Sequence, residues 1–167
     1  DPTEGDVKLD GHSLFIQEEI ERVHKDMGVI FQIPALISNL SIRQNILLPI
    51  EQHYSNLSNN EKNQLVDKEA ENFHLGSSLD LRPGTVSNGK QERAAIARAI
   101  VTTPKIVLWD SPLLYTDEFW NIRIIDRFSE LKRQGVSVII FTNHQSELLD
   151  IFDTHYRILN STLERID

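Results

Sequence analysis

Apolar and polar positions change rhythm along the chain. Val7-Lys8-Leu9 alternates over a strand's length and runs into the turn pair Asp10-Gly11. Ile16, Ile20 and Val23 then recur at helical spacing, which predicts a helix over residues 16–24. Residues 27–31 form an apolar run of strand length that leads to Gln32, and Pro34 ends it. From there to about residue 100 only helices are expected. Ser41 caps one that reaches about Gln52, with Pro49 expected to kink it or end it early. Asn59-Asn60 opens a charged amphipathic helix whose inner face is Leu65, Ala70 and Phe73. A polar loop over residues 76–84 leads to a small-residue helix behind Ser87 and Gly89.

After Lys105 the rhythm becomes strand and helix in turn. Residues 106–109 read as a strand, 117–133 as a helix, 136–142 as a strand and 145–152 as a helix. Two short strands follow, near 156–159 and 163–166. Such alternation makes βαβ units, so residues 106–109 and 138–141 are expected as neighbouring parallel strands of an α/β sheet. No internal repeat or low-complexity tract interrupts the pattern.

Composition narrows this little. With 167 residues, 25% charged and 40% apolar, the chain can build one modest core. A net charge of -8 without a basic run argues against a nucleic-acid surface. The chain has no cysteine, hence neither disulfide nor thiol site. Its apolar runs are far shorter than a membrane span, and a cytoplasmic location is expected.

The chemistry concentrates in two segments. In Thr85-Val86-Ser87-Asn88-Gly89-Lys90-Gln91-Glu92-Arg93, Ser87 can cap a helix whose free N–H groups seek an anion, and Gly89 lets backbone approach. Lys105-Ile106-Val107-Leu108-Trp109-Asp110 puts a carboxylate at the C-terminal end of a buried strand, where α/β sheets hold metals and ligands. The pair resembles the signature motif and Walker B strand of ABC-type ATPases, and the order of elements fits that family over essentially the whole chain. The resemblance implies a P-loop-NTPase-like, mostly parallel sheet. Residues 1–33 and 101–167 would form its core lobe, and residues 34–100 a helical subdomain carrying the signature.

Several positions depart from the family pattern Leu-Ser-Gly-Gly-Gln. Asn88 stands for the first glycine, where it can preserve a positive-φ turn, and Lys90 stands for glutamine. The resemblance makes Ser87, Asn88, Gly89 and Lys90 face a partner subunit's ATP; the plain alternative is a capped helix with Arg93 and Arg98 on a solvated edge. It also gives Asp110 the orientation of Mg²⁺ and Gln32 a contact with that ion. Ser111 holds the place of the glutamate that polarises water, and losing such a base costs roughly 10²–10⁴ in rate. Counting back from Glu147 and Asp153 puts Asn143, rather than His144, at the switch-histidine position, leaving His144 to read as a surface residue after a strand. Asp117 keeps the D-loop aspartate. His12, His24, His53, His74 and His155 lack metal-ligand spacing and read as surface.

These residues contain no G-x-x-x-x-G-K-[ST] run. Either the chain is a fragment or it lacks the phosphate loop, and in both cases it is expected not to turn over ATP alone. The implied role is the ATP-binding subunit, with ATP and Mg²⁺, of a transporter that pairs with a second ATPase subunit and a transmembrane permease at the inner face of the membrane. The segment Asn45-Ile46-Leu47-Leu48-Pro49-Ile50 is similar to that of MCE-associated phospholipid-transport ATPases, which suggests a lipid cargo. The alternative is a non-catalytic scaffold that binds a transporter subunit. The family's phosphate-loop strand is taken to lie beside residues 106–109, so those residues are expected to expose an apolar edge that destabilises a lone monomer.

Overall fold

Residues 3–142 and 152–166 are described by the computed structural model. Lys8–Leu9 (β1) and His12–Ser13 (β2) pair antiparallel across Asp10 and Gly11, both at positive φ. Gln17–Lys25 (α1) leads to Met27–Ile30 (β3). Then come Ile42–His53 (α2), Asn59–Asn72 (α3), single 3-10 turns at Gly76–Ser78 and Pro83–Thr85, and Asn88–Ile100 (α4). The rest runs Ile106–Asp110 (β4), Glu118–Arg133 (α5), Ser137–Phe141 (β5), Tyr156–Leu159 (β6) and Thr162–Arg165 (β7), the last two an antiparallel hairpin.

The main sheet has the order β3-β4-β5, all parallel. Register and strand alternation put Gly28, Ile30, Val107, Trp109, Val138 and Ile140 on one face. That face carries the core. A Cβ added at Gly28 would lie 2.2 Å from the Ala99 carbonyl oxygen, so α4 rests directly on β3. The alanines of α4 are what permit this approach: Ala94, Ala95, Ala97 and Ala99 are all buried. Trp109 stacks on Phe128 of α5 with ring centroids 4.8 Å apart. On the opposite face Met27, Val29, Ile106 and Leu108 are half-buried, and Ile139 and Phe141 are 44% and 53% exposed.

Local chemistry sets the helix starts. Ser41 and Gln44 form a capping box on α2, and Ser58 and Glu61 form another on α3. Ser87 caps α4 and Asp117 caps α5, each accepting an N–H of the first turn.

The parallel pairing of β4 with β5 agrees with the strand–helix alternation, but several expectations need correction. β4 has no open edge; β3 and β5 pair with both its sides, and the edges left unpaired in this sheet among the described residues are the outer ones of β3 and β5. Pro49 neither ends nor breaks α2, because Ile46 and Ile50, both fully buried, anchor the turns around it. On α3 the inner face is Val66, Glu69 and Ala70, with Phe73 at its C-cap, and Leu65 is only half-buried. The 76–84 segment is two tight turns that bury Ser78, Leu79 and Pro83. Ile16 sits at the α1 N-cap, 46% exposed, and not in the core.

Candidate functional site

Parallel strands gather their C-terminal ends at one edge of the sheet. Ile30 pairs with Trp109, and Asp110 with Phe141. Gln32 therefore lies two residues beyond the last β3 pair, at the same end of the sheet as the exposed Asp110 of β4. Ser111 turns the chain there with φ 50°, its N–H donating to the Phe141 carbonyl at 2.8 Å. Its hydroxyl donates to Asp110 Oδ1 at 3.0 Å. Asn143 and His144, together with the helix expected over 145–152 save Phe152, lie outside the described residues.

The second half of the site is the start of α4. Ser87 and Asn88 are exposed, and the Ser87 hydroxyl accepts from the Lys90 N–H at 3.4 Å. Asn88 is the first helical residue and Gly89 the second, neither at positive φ, so the expected left-handed turn is absent. Gly89 is needed for a different reason: a Cβ there would lie 2.8 Å from the Tyr115 carbonyl oxygen. The N-terminus of α4 thus abuts the loop that runs from Asp110 to Asp117. Lys90 turns inward, its Nζ donating to the fully buried Ser78 hydroxyl at 2.8 Å. Asp117 spends its carboxylate on the α5 cap, accepting from the Trp120 N–H at 3.0 Å.

Charges that composition could not place hold this arrangement. Glu92, 5% exposed, accepts the Tyr115 N–H at 2.9 Å. Arg93 is buried, not on a solvated edge; it donates to the carbonyls of Phe73 and Gly89 and lies 3.6 Å from the Trp120 ring centre. Burial pulls the Arg93 guanidinium below its usual range, partly offset by Asp117. Arg98 reaches across to the Ala35 carbonyl at 2.7 Å and fastens the segment after Gln32 to α4. The signal for Glu92 was helical: it shares a stripe with Ile96 and Ala99 at i, i+4 and i+7.

His24 and His74 are exposed, whereas His12, His53 and His155 are half-buried. Among the described residues no cluster of three or more His, Cys, Asp or Glu side chains could hold a metal unaided. No helix among them is long and apolar enough to cross a membrane.

A family model described as ABC transporter matches residues 1–114, a stretch that includes Gln32, residues 87–90 and Asp110. The chain is 31% identical to the uncharacterized ABC transporter ATP-binding protein YknY of Bacillus subtilis, over 89% of this chain and 65% of the relative. It is 31% identical to the molybdenum import ATP-binding protein ModC of Paramagnetospirillum magneticum, covering 92% of this chain and 42% of that one. With the methionine import ATP-binding protein MetN of Escherichia coli the identity is 29%, over 97% of this chain and 48% of MetN. The chain therefore spans between 42% and 65% of these relatives' lengths. Among solved structures, a dimeric MJ0796 cassette, titled a bacterial ABC transporter cassette, superposes with TM-score 0.83 at 26% identity, over 92% of this chain and 68% of that one. A post-hydrolysis MJ0796 dimer bound to ADP and Pi gives TM-score 0.87 at 24% identity, over 98% and 74%, which speaks for the fold.

Proposed function

The chain belongs to the ABC transporter family, and on that premise we propose that it supplies part of the ATP-binding subunit of a membrane transporter. Ser87, Asn88 and Gly89 would meet the phosphates of a nucleotide, and Asp110 with Gln32 would take a hydrated Mg²⁺. The donor set suits both. An exposed carboxylate and an exposed amide oxygen at adjoining strand ends match a hard cation that keeps most of its water. A thirteen-residue helix whose start exposes Ser87 and Asn88 would offer N–H groups to an anion. When bound, Mg²⁺ would neutralise phosphate charge; the protein's own part is to orient the ion's waters and cap the phosphates. These 167 residues hold no phosphate-loop sequence, so in this proposal that cradle would come from outside them, and the partners proposed are a second ATPase subunit and a permease. The observation that carries the reading is the close approach of the α4 start to the loop leaving Asp110, within a region the family model spans.

Lys90 is left out of the proposed phosphate contact, since its ammonium donates inward to Ser78. The lipid cargo rests on residues 45–50, and these serve the fold: the buried Asn45 side chain accepts the Ile37 N–H and donates to the Ile37 and Ser41 carbonyls. Cargo is accordingly left out of the proposal.

Paramagnetic Mn²⁺ with ATP tests this reading. Line broadening should appear at Gln32, Asp110 and Ser111 and at residues 87–90, and Asp110→Ala should abolish the metal-side share. Broadening confined elsewhere, or none at millimolar Mn²⁺·ATP, defeats it.

One observation favours a second reading, a non-catalytic scaffold. Ser111 stands where a water-polarising glutamate is expected, and its hydroxyl is spent on Asp110. A hydroxyl is no carboxylate base near neutral pH.

A further inference from the structure

Glu92 is the one acidic side chain buried at the junction of α4 with the loop that leaves Asp110. Nothing in the reading above uses it. Its helix begins at the exposed Ser87 and Asn88, and its carboxylate meets the loop from Asp110. The Tyr115 N–H donates to Oε2 at 2.9 Å, and the Leu114 and Leu113 N–H groups also turn toward the carboxylate. The Tyr115 N–H is the one that bonds the carboxylate directly, and the two peptides before it favour the charged form from close by.

The loop they belong to is one the chain would not adopt unaided. Ser111 and Leu113 both have positive φ, 50° and 62°, a conformation that non-glycine residues keep only where the surroundings hold it. Leu113 has no short polar side chain to ease that conformation. Nearby, Gly89 meets the Tyr115 carbonyl closely enough that no side chain fits between. Glu92 and Gly89 thus meet the same residue, one at its N–H and the other at its carbonyl.

We propose that Glu92 is a positioning residue that fixes the loop between Asp110 and Asp117 to the phosphate-facing helix, so that α4 and the metal-side strand end move as one body. Burial raises the carboxyl's pKa, and the three N–H groups draw it back toward the charged form. A side chain that merely filled space would show neither the burial of charge nor the matched donors. The value of this coupling to nucleotide rests on the preceding reading; the grip itself does not.

Amide hydrogen exchange on the full chain without nucleotide tests the grip. In Glu92→Leu, exchange at Tyr115 should quicken by about tenfold or more, as expected for a lost hydrogen bond, while Val107 and Ile124 keep their protection. Glu92→Gln retains an acceptor oxygen, so Tyr115 should stay protected there. If the leucine variant does not fold, Glu92→Ala takes its place in the comparison with the glutamine variant. Unchanged exchange at Tyr115, or equal quickening throughout the chain, overturns the proposal. A separate arm adds Mn²⁺·ATP: wild type should gain protection at residues 113–115 and Glu92→Leu should not. If Mn²⁺·ATP leaves wild type unaffected while the nucleotide-free result holds, the nucleotide reading fails and the role of Glu92 stands.

Discussion

Arg127→Met should cost about 3–5 kcal/mol of stability, and adding Glu69→Leu should restore most of it. The two side chains join α3 to α5 with little water between them, at 8% and 5% exposure. The guanidinium Nη2 donates to Glu69 Oε1 at 2.5 Å and Nε to Oε2 at 3.3 Å, while Nη1 donates to Glu130 at 2.9 Å. Burial alone would pull the guanidinium's pKa down, yet Glu69 and Glu130 outweigh it and the net direction is up. Charges about 4 Å apart attract by about 4 kcal/mol at an effective dielectric near 20, before the cost of drying them is counted.

The two single losses are unequal. Without Glu69, Arg127 still has Glu130, which is half exposed. Without Arg127, Glu69 keeps only the Asn72 amide at 3.2 Å and remains a buried anion. Arg127→Met should therefore be the worse single change, and the apolar pair should come within about 1 kcal/mol of wild type. Urea denaturation followed by circular dichroism measures all three. At about 2–4 °C per kcal/mol, the Tm of Arg127→Met should fall by about 6–20 °C. Single variants within about 1 kcal/mol of wild type, or a double variant as unstable as the two losses added, would refute the reasoning.

Gly89→Ala places a Cβ 2.8 Å from a backbone oxygen, so it should destabilise by about 1–3 kcal/mol and shift the Tyr115 amide resonance; a neutral melt with an unmoved Tyr115 signal would contradict that. Glu92 has a raised pKa, so it binds its proton more tightly folded than unfolded. Its contribution is then whole below the ordinary value of 4.5 and is lost as pH rises through the raised one. Wild type should lose stability relative to Glu92→Gln over that rise, and a flat or opposite difference in urea midpoints against pH would count against the burial argument.

Much of the fold was legible because its signals are local. Ser41, Ser87 and Asp117 stand at helix starts and cap those helices, and the alternation after Lys105 foretold the parallel pairing of β4 with β5. The site was legible in outline for the same reason, since a strand's last residue and a helix's first are sequence positions. Strand order is not local. Nothing in the run 106–110 says which strands lie beside it, and the open edges belong to β3 and β5 rather than to β4. Pro49 misled because propensity speaks for the isolated helix, whereas two buried isoleucines speak for the core.

The least legible residues are the charged ones that join elements. Glu69 and Arg127 are 58 positions apart, and Arg93 reaches a carbonyl 20 positions away. Each is an ordinary member of a helix in one dimension. Each is buried in three because a second helix brings its partner. The chemically suggestive residues behave in the opposite way: Gln32, Ser87, Asn88 and Asp110 are all exposed. Exposure leaves such groups available to a ligand but gives them no means of fixing their own separation. Glu92 and Gly89, which meet Tyr115 at its N–H and its carbonyl, hold the start of α4 against the loop from Asp110, and Arg93 fastens α4 to the Phe73 carbonyl and the Trp120 ring. Substitutions at those three should consequently disturb both halves of the site together, whereas changes at Ser87 or Asp110 should disturb one half and leave the other in place.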